Sequence, residues 1–417
     1  MEYKLEDICD FYNGGAWSES EYVESGIPVV KVSNIKGNDI VFDNINYISE
    51  SNLKKYQKNI LKTDDVVIAT VGSHPSLEAS AAGRSIIIPK KIDGYLLNQN
   101  AVCLRTKNND ILDQKYLGYL AETQAFKNFI QNRGGGAANQ MRIPIGAIKS
   151  YKLKIPKEQK KIAKILSSYD DLIENNLKLI KLLEEKAKLT YEEWFLRFRI
   201  DGQKLEIDEE TELPFGWNKK PITAFESFKH DKSKLKEFIG EKRYLATADV
   251  DKIFIVADGE LITWNNKPSR AQVSPSKNSV WFARMSDTYK VLCFTNDDEA
   301  LRKDIVLSSG FAGFKSKNEL CLPFLYCTIN SSLFHELKDL YATGATQVSL
   351  NNESMKFIKM IEPDINIIES FGKLVLPMIK SISNLVKQNE LLKESRDILL
   401  PRLMTGMIDV ETINIEV

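Results

Sequence analysis

The stretch that decides the fold runs from Lys157 to Arg199 and reads KEQKKIAKILSSYDDLIENNLKLIKLLEEKAKLTYEEWFLRFR. It contains neither proline nor glycine, so nothing in its sequence interrupts a helix. Residues of one face recur at alternating steps of four and three, which is the spacing of a coiled-coil seam. The seam residues are Ile162, Leu166, Tyr169, Ile173, Asn176, Ile180, Leu183, Ala187, Thr190 and Trp194. We therefore predict a long helix with one face covered by a second helix.

The same layout is repeated 209 residues further along the chain. A small-residue loop at Gly135 corresponds to one at Gly344, and a strand that reads KLKIP corresponds to FIKMIEP. A second helical stretch begins near Ile367, and its seam residues are Phe371, Val375, Met378, Ile382, Leu385, Asn389, Leu392, Arg396, Leu399 and Leu403. This repeat indicates a duplicated globular domain with its own long helix, because solenoid repeats are much shorter.

Each predicted seam contains one asparagine, Asn176 in the first and Asn389 in the second. If the helices pair antiparallel about a pseudo-twofold axis, the midpoint of the seams places these two residues opposite each other. Such a polar pair fixes register and direction at some cost in stability. The alternative is that each asparagine is tolerated at a wet edge of the helix pair, in which case the two side chains lie far apart.

The predicted fold class is α+β, with two α/β globular domains separated by two long antiparallel coiled-coil helices. The predicted boundaries are 1–156 for the first globular domain, 157–200 for the first helix, 201–365 for the second globular domain and 366–417 for the second helix and tail. Apolar runs within the domains predict short strands, among them Lys252–Ala257. Imperfect apolar stripes predict one helical segment over Lys115–Gln131 and another over Leu322–Leu340.

The composition excludes several classes of protein. The chain has 57 basic and 57 acidic residues, and its five cysteines lack the spacing of a metal site. It has neither an apolar run that could cross a membrane nor a signal peptide, so we expect a cytoplasmic protein with free thiols. A net charge of zero argues mildly against a nucleic-acid ligand, but it is compatible with a local basic surface.

The motifs of common catalytic sites are missing from the sequence. We find no GxxxxGK[ST], no GxGxxG after a strand, and no Asn-Pro-Pro or Asp-Pro-Pro before an aromatic residue. Three scattered histidines make a histidine-based acid–base pair or metal site improbable. We therefore predict a chain that has no catalytic residues, metal or cofactor of its own and that acts by recognition.

Polar loops in both copies carry side chains that suit the reading of nucleic-acid bases. Arginine pairs with guanine, asparagine or glutamine pairs with adenine, and glycine allows the backbone to approach a phosphate. Such loops are also commonly simple connections, so both interpretations stay open for each residue. The candidates are Lys31, Asn34, Ser73, Arg84, Arg133, Asn139, Gln140 and Arg142 in the first copy, and Asn265, Lys267, Arg270, Thr343, Thr346 and Gln347 in the second.

Three motifs give the chain a family resemblance that covers essentially its whole length. They are LPxGW at Leu213–Trp217, EQKKIAKILSSYDDLIENN at Glu158–Asn176 and LLPRLMTGMID at Leu399–Asp409. Together with the duplicated layout, they resemble the specificity subunit of type I restriction-modification systems. The recognition domains of that family vary so widely that no base-contacting residue carries over, and the candidates above rest on their chemistry alone.

The resemblance implies that residues 1–156 and 201–365 are target-recognition domains, each reading one half of a bipartite asymmetric site in double-stranded DNA. The two helices would set the distance between the halves and dock two methyltransferase subunits. ATP-dependent restriction subunits would then join the complex. The adenine would be flipped out of the stack into the active site of a methyltransferase subunit.

Three alternatives remain at this point. The chain could be the specificity subunit of a methylation-only or type II-like system that lacks the translocase. It could be a coiled-coil scaffold whose two domains bind proteins instead of DNA. It could also be a self-contained modification enzyme with a degenerate site, which would methylate DNA without a partner.

Overall fold

The computed structural model describes residues 2–36, 39–40, 42, 45–73, 81–136, 140–344, 348–411 and 413. Internal contacts divide the chain into two compact units: unit 1 is Met1–Ile173 with Leu391–Val417, and unit 2 is Glu174–Glu390. Each unit contains one globular domain and part of both long helices. The N-terminal long helix spans Gln159–Phe195 and the C-terminal long helix spans Ile365–Met404.

Unit 1 is built on two four-stranded sheets. The central sheet has the antiparallel order Ser85–Ile87, Val66–Ala69, Ala101–Thr106, Cys9–Asn13. The second sheet has the order Leu96–Leu97, Ile27–Val30, Asn46–Ile48, Tyr22–Val23, and only its first pair is parallel. Smaller pairs join Glu2–Lys4 to Lys152–Lys154, Val71–Gly72 to Met141–Arg142 and Ile35–Lys36 to Asp39–Ile40. The short helices are Leu5–Ile8, Gln114–Glu122, Gln124–Gln131 and Ile145–Lys149.

Unit 2 has the same plan. Its central sheet has the antiparallel order Phe228–His230, Phe311–Ser316, Ser279–Ala283, Val291–Phe294. Its second sheet has the order Glu260–Ile262, Lys242–Leu245, Ile305–Ser308, Ala271–Val273, with the middle pair parallel. Smaller pairs are Asn218–Pro221 with Lys359–Glu362, Val250–Asp251 with Phe254–Ile255 and Arg199–Ile200 with Gln203–Lys204. The short helices are Glu299–Asp304, Leu322–Asn330 and Ser332–Leu340.

The duplication predicted from the sequence is confirmed by this topology. Counted in chain order within each central sheet, the strands lie side by side as first, fourth, second and third in both units, and in both second sheets one parallel pair joins an earlier strand to the last one. Both domains also close with an antiparallel pair between their first strand and the strand that leads into a long helix. The fold is therefore α+β with an internal repeat.

Two predicted helical segments are each broken once, at equivalent places. Thr123 is extended between Gln114–Glu122 and Gln124–Gln131, where its hydroxyl donates to the carbonyl of Leu120 at 2.7 Å and accepts from the Phe126 amide. Ser331 makes the same pair of contacts between the two helices of unit 2. Each hydroxyl ends one helix and caps the next, so the apolar stripe alone did not reveal the break.

The predicted strand Lys252–Ala257 is confirmed only at Phe254–Ile255. Lys252 has φ of 51°, which turns the chain so that Val250–Asp251 pairs with Phe254–Ile255 as a small hairpin. A left-handed residue other than glycine is uncommon, and neither glycine nor proline marks this turn in the sequence.

Both helical seams are buried or half-buried at every predicted position. In unit 2, the rings of Trp194 and Phe195 pack on Phe371 with centroids 5.7 and 5.0 Å apart. In the same unit, Asn176 Nδ2 donates to Asn389 Oδ1 at 2.9 Å. As the residue number rises on one helix it falls on the other, so the helices run antiparallel in this unit. Among the helices of the described residues, none is both long and apolar enough to cross a bilayer.

Unit 1 contains a polar contact of a different kind between the same two helices. The guanidinium of Arg396, only 10% exposed, pairs with the Asp170 carboxylate and also contacts Asp397 at 2.9 Å. The Tyr119 hydroxyl donates to the other oxygen of Asp170 at 2.6 Å. Burial raises the pKa of the neighbouring Glu122 to about 7, and the charge of Arg396 opposes that shift.

The contact between Asn176 and Asn389 leads to a stability prediction. Asn389 is 5% exposed, and no described residue accepts a hydrogen bond from its Nδ2. Asn176→Leu alone would leave the whole Asn389 amide buried and unpaired, so we expect a loss of ~1–3 kcal/mol in the free energy of unfolding. The double variant Asn176→Leu/Asn389→Leu removes both amides and is expected to be at least as stable as the unchanged chain.

Denaturant unfolding of the full chain, followed by circular dichroism, measures this cycle. Leu385→Asn serves as a control, because it adds a half-buried amide to the same seam without a partner. A double variant as unstable as the single one would show that the two amides act independently and would contradict a register pair.

Candidate nucleic-acid interface

The loop between Arg133 and Arg142 in unit 1 is closed at its base by backbone pairing. The Gly135 amide donates to the Arg142 carbonyl at 3.0 Å, and the Arg142 amide donates back at 2.8 Å. A side chain at Gly136 would come within 1.9 Å of the Gln140 carbonyl, so the tight closure requires glycine there. Gln140 and Arg142 are exposed at the closing end. The closure therefore leaves two predicted side chains exposed on the surface of unit 1.

Two further candidates lie next to this loop. Met141–Arg142 pairs with Val71–Gly72, which places Ser73 beside the loop. The Ala69 amide in the adjoining strand donates to the Arg84 carbonyl at 2.8 Å. The Arg84 guanidinium in turn donates to the Ile35 carbonyl at 3.2 Å. Ser73, Arg84 and the loop are thus brought to one edge of unit 1.

The turn before Ile35 contains the candidates Lys31 and Asn34. The Lys31 amide donates to Asn34 Oδ1 at 2.9 Å, and Asn34 is only 5% exposed. The Lys31 ammonium donates to Asn46 Oδ1 at 3.0 Å and lies over the Tyr22 ring. Asn34 therefore shapes the turn, while Lys31 is half-buried against the second sheet.

Arg133 is exposed, and its guanidinium stacks on Phe129 at 3.6 Å from the ring centre. The same group donates to the Phe129 carbonyl at 3.1 Å. Stacking holds the flat guanidinium against the helix, which lowers the entropy cost of using its remaining donors.

Unit 2 closes its small-residue loop in the same way, without a run of glycines. The amides of Thr343 and Ser349 donate to each other's carbonyls at 3.0 and 3.1 Å. The loop is held against the end of a central strand, since the Ser286 amide donates to the Val348 carbonyl at 3.0 Å. The replacement of glycines by Ala-Thr-Gly-Ala-Thr-Gln therefore leaves the loop closure intact.

A buried cation that sequence reasoning missed supports this second loop. Lys338 is fully buried, and its ammonium donates to the Met285 carbonyl at 2.8 Å and to Asp339 at 2.6 Å. Burial, together with the charge of Lys338, lowers the pKa of the adjacent His335 to about 4, so this imidazole is neutral near pH 7. The lysine fixes the segment on which the loop rests, and no sequence pattern marked it.

Arg270 belongs to the same edge of unit 2. The Ser309 amide donates to the Arg270 carbonyl at 2.8 Å, and the Arg284 amide donates to the Gly310 carbonyl at 2.9 Å. Ser309 and Gly310 are neighbours, so the two bonds link Arg270 to Arg284. Arg284 lies two residues before Ser286, whose amide binds the Val348 carbonyl next to the closed loop. Arg270 is thus connected to this loop through the backbone. Lys267 lies on the preceding turn, where its ammonium is 4.9 Å from the Trp264 ring centre, and Asn265 on that turn is exposed.

Three predicted residues, Asn139, Thr346 and Gln347, lie outside the described residues. Nothing structural is stated for them, and they stay predictions. The remaining candidates have polar or charged side chains and lie in turns and loops, except Arg142, which belongs to a two-residue strand. Among the described side chains, no group of three or more histidine, cysteine or acidic residues could hold a metal ion.

A different surface lies on the outer faces of the long helices. Leu182 and Leu189 of unit 2 are 61% and 49% exposed. The 209-residue offset takes them to Leu391 and Ile398 of unit 1, which are 63% and 46% exposed. Each unit therefore displays a pair of exposed aliphatic side chains two helical turns apart, away from the buried seam, and the two pairs are equivalent under the repeat.

Taken together, the fold and the loops define a class of protein in which an α+β globular domain and a long helix are both present twice. Residues 1–185 match the family model described as the type I restriction modification DNA specificity domain. The chain is 25% identical over 321 residues to the type I restriction enzyme MjaIX specificity subunit of Methanocaldococcus jannaschii, covering 71% of this chain and 69% of that protein. It is also 25% identical over 400 residues to the type I restriction enzyme HindI specificity subunit of Haemophilus influenzae, covering 78% and 84%.

A solved structure shares the fold. The S subunit of a type I restriction-modification system from M. genitalium matches with a TM-score of 0.56 at 16% identity, covering 97% of this chain and 95% of that one. The resemblance predicted from the sequence is thus confirmed. The first 185 residues match the DNA specificity domain model of this family, and the chain is similar to type I specificity subunits in sequence and to a solved S subunit in fold.

Proposed function

We propose that this chain reads a bipartite, asymmetric site in double-stranded DNA for a type I restriction-modification complex in the cytoplasm. Each globular domain would bind one half of the site. The observation that carries the proposal is the equivalent loop closure in the two units, at Gly135–Arg142 and at Thr343–Ser349. Two similar but chemically different loops suit a ligand with two different halves.

The side chains at these loops fit the edges of bases. Arg142 offers the paired donors that guanine accepts in the major groove, and the Gln140 amide matches the donor and acceptor of adenine. Arg84, Arg270 and Lys267 add positive charge that would favour phosphates. A neutral chain can bind DNA in this way because the charges are local.

The exposed aliphatic pairs on the helices support the docking of two copies of one partner. Leu182 with Leu189 and Leu391 with Ile398 are equivalent under the internal repeat, so one complementary surface would fit both pairs. We propose that these copies are adenine methyltransferase subunits and that restriction subunits join them. The chain itself would contribute recognition and no catalytic group.

Methylome sequencing of the host tests the function directly. We expect methylated adenines in one bipartite motif, and we expect them to vanish when the gene for this chain is deleted. A methylome that does not change on deletion would contradict the proposal. Methylation by the purified chain alone would instead support a self-contained enzyme, and a chain that never protects DNA would support a scaffold. ATP-dependent cleavage separates a full restriction system from a methylation-only one.

For base recognition, we predict that Gln140→Ala weakens binding to the specific site by ~1–3 kcal/mol and leaves the salt dependence unchanged, because the side chain is exposed and uncharged. The same effect is predicted for Gln347→Ala in the second copy. Fluorescence anisotropy with specific and random duplexes measures both quantities.

Gln388→Ala is the matched control, since Gln388 is exposed on the C-terminal long helix, outside both globular domains. Equal losses on specific and random DNA would assign Gln140 to phosphate contact or to loop structure instead of base reading.

A further inference from the structure

A short segment of unit 2, residues 232–236, meets the edge of the second sheet. Lys234 forms a bridge with Val273, and the Leu235 amide donates to the Gln272 carbonyl at 2.8 Å. The segment is therefore held against the edge strand Ala271–Val273 at Lys234 and Leu235. In an extended chain alternate side chains face opposite sides, and burial alternates in this way along residues 232–236.

The alternation separates two kinds of residue. Ser233 is half-buried, and its hydroxyl lies 2.9 Å from that of Ser276, while Leu235 packs on the core formed by Tyr244, Ile262, Ala271 and Val306. Lys232, Lys234 and Lys236 are all exposed on the other side. None of these three ammonium groups has a hydrogen-bond or ion-pair partner among the described residues. They form a row of unneutralised positive charge, which we call the lysine row.

The spacing of the lysine row suits a polyanion. Side chains on one face of a strand repeat every ~6.6 Å. Phosphates on one DNA strand follow every ~3.4 Å along the axis, so each lysine can reach a phosphate of its own. All three carry the charge on a long flexible stem, and the bridge with Val273 anchors the backbone at the middle one, Lys234.

The lysine row is continuous with the candidate interface of unit 2. The strand that it flanks begins at Ala271, directly after Arg270. Arg270 is connected to the closed loop through Ser309 and Gly310, and one of its guanidinium nitrogens lies 3.5 Å from the place where a Cβ on Gly310 would stand. A ligand held at the loop could therefore extend along the row.

Unit 1 has the opposite charge at the topologically equivalent connection. The segment between Cys9–Asn13 and Ile27–Val30 contains Glu19, Glu21 and Glu24, and residues 14–26 include neither lysine nor arginine. The carboxylate of Glu21 accepts from Lys55 and Tyr56, and these contacts lower its pKa to about 2. The two units thus share a topology but differ in charge where a DNA backbone would pass.

We propose that the lysine row binds the DNA backbone next to the half-site read by unit 2, so that sequence-independent affinity is unequal between the two halves. The proposal rests on the proposed function only in taking duplex DNA as the ligand. Charge complementarity and continuity with Arg270 favour duplex DNA over an acidic protein, which lacks a regular spacing of charge.

The test is the salt dependence of binding to a random-sequence duplex. Full-length Lys232→Gln/Lys234→Gln/Lys236→Gln is compared with the unchanged chain by fluorescence anisotropy at several salt concentrations. Each phosphate contact contributes ~0.9 to the slope of log affinity against log salt, so the slope should fall by ~2–3 in the variant. Circular dichroism confirms that the exposed substitutions leave the fold intact.

The matched control is Lys181→Gln/Lys186→Gln/Lys373→Gln, which removes three exposed lysines of the long helices. It should leave the slope unchanged. An unchanged slope in the first variant, or an equal fall in both, would overturn the proposal. The two proposals can fail separately. Binding of random DNA with the expected change in slope, but without preference for any bipartite site, would contradict the proposed function and still support the proposal for the lysine row.

Discussion

Replacing Arg396 by methionine is expected to lower the free energy of unfolding by ~2–3 kcal/mol. The Arg396 side chain is only 10% exposed and neutralises Asp170, with Glu122 and Asp397 close by. Removal of one member of a fully buried pair typically costs ~3–5 kcal/mol, and we expect less because the Asp170 side chain is 36% exposed. Denaturant unfolding of the full chain measures the loss.

The dependence on pH identifies the cause of this loss. Arg396 opposes the raised pKa of Glu122, so without it this pKa should rise further above about 7. A carboxyl group with a raised folded-state pKa stabilises the fold below its unfolded pKa, and this contribution is lost as the pH rises through the folded value. The deficit of the variant should therefore be larger at pH 8 than at pH 5.5.

Unit 2 supplies a control for the same experiment. The 209-residue offset takes Asp170 to Ile379 and relates Arg396 to Ala187, and both of these residues are buried. Asp170→Ile/Arg396→Ala would give unit 1 the same apolar residues as unit 2 at these positions. This double variant should recover most of the free energy of unfolding that Arg396→Met loses. Lys393→Met, at an exposed position of the same helix, should have little effect. A double variant less stable than Arg396→Met would contradict the charge argument.

Replacing Leu182 and Leu189 by aspartate is expected to remove one of the two proposed methyltransferase copies from the complex. Each leucine that a partner covers contributes ~1.5–3 kcal/mol, so losing two and burying charge should weaken that contact at least ~100-fold. Because both residues are exposed in the chain itself, its stability should change little. Native mass spectrometry of the co-expressed complex gives the stoichiometry.

Adding Leu391→Asp and Ile398→Asp should remove the second copy as well, because these residues are the equivalents in unit 1. Leu261→Asp/Leu340→Asp is the control, since both leucines are exposed on the globular domain of unit 2. Retention of two copies by the four-residue variant would place the docking surface elsewhere on the chain.

Features that depend on local periodicity were predictable from the sequence. The long helices extend from Gln159 to Phe195 and from Ile365 to Met404, close to the limits set by their seams. The seam spacing also determines which residues face each other, and an antiparallel register of the two seams places Asn176 opposite Asn389, where the structure has their hydrogen bond. Periodicity suffices in these cases because one repeated contact forms the whole helix pair.

Features that depend on tertiary contacts were not predictable in this way. Arg396 lies on the predicted seam, but Asp170 lies beside it. Only the packing of the two helices shows that these two residues form an ion pair. Lys338 reads as an ordinary helical lysine, yet it is buried under the loop of unit 2. The capping hydroxyls of Thr123 and Ser331 override an unbroken apolar stripe because each supplies hydrogen bonds to two helix ends.

The polar contacts between the long helices have a consequence for self-association. If two copies of the N-terminal long helix paired in the same register, Asn176 would face Ile180 and Asp170 would face Ala187. Two C-terminal long helices would likewise set Asn389 against Leu385 and Arg396 against Ile379. Every like-with-like pairing would bury an unmatched amide or charge. Each long helix is thus complementary to the other one and not to a second copy of itself. If the chain is cleaved between the two copies of the repeat, the two fragments should reassemble as a heterodimer in preference to either homodimer.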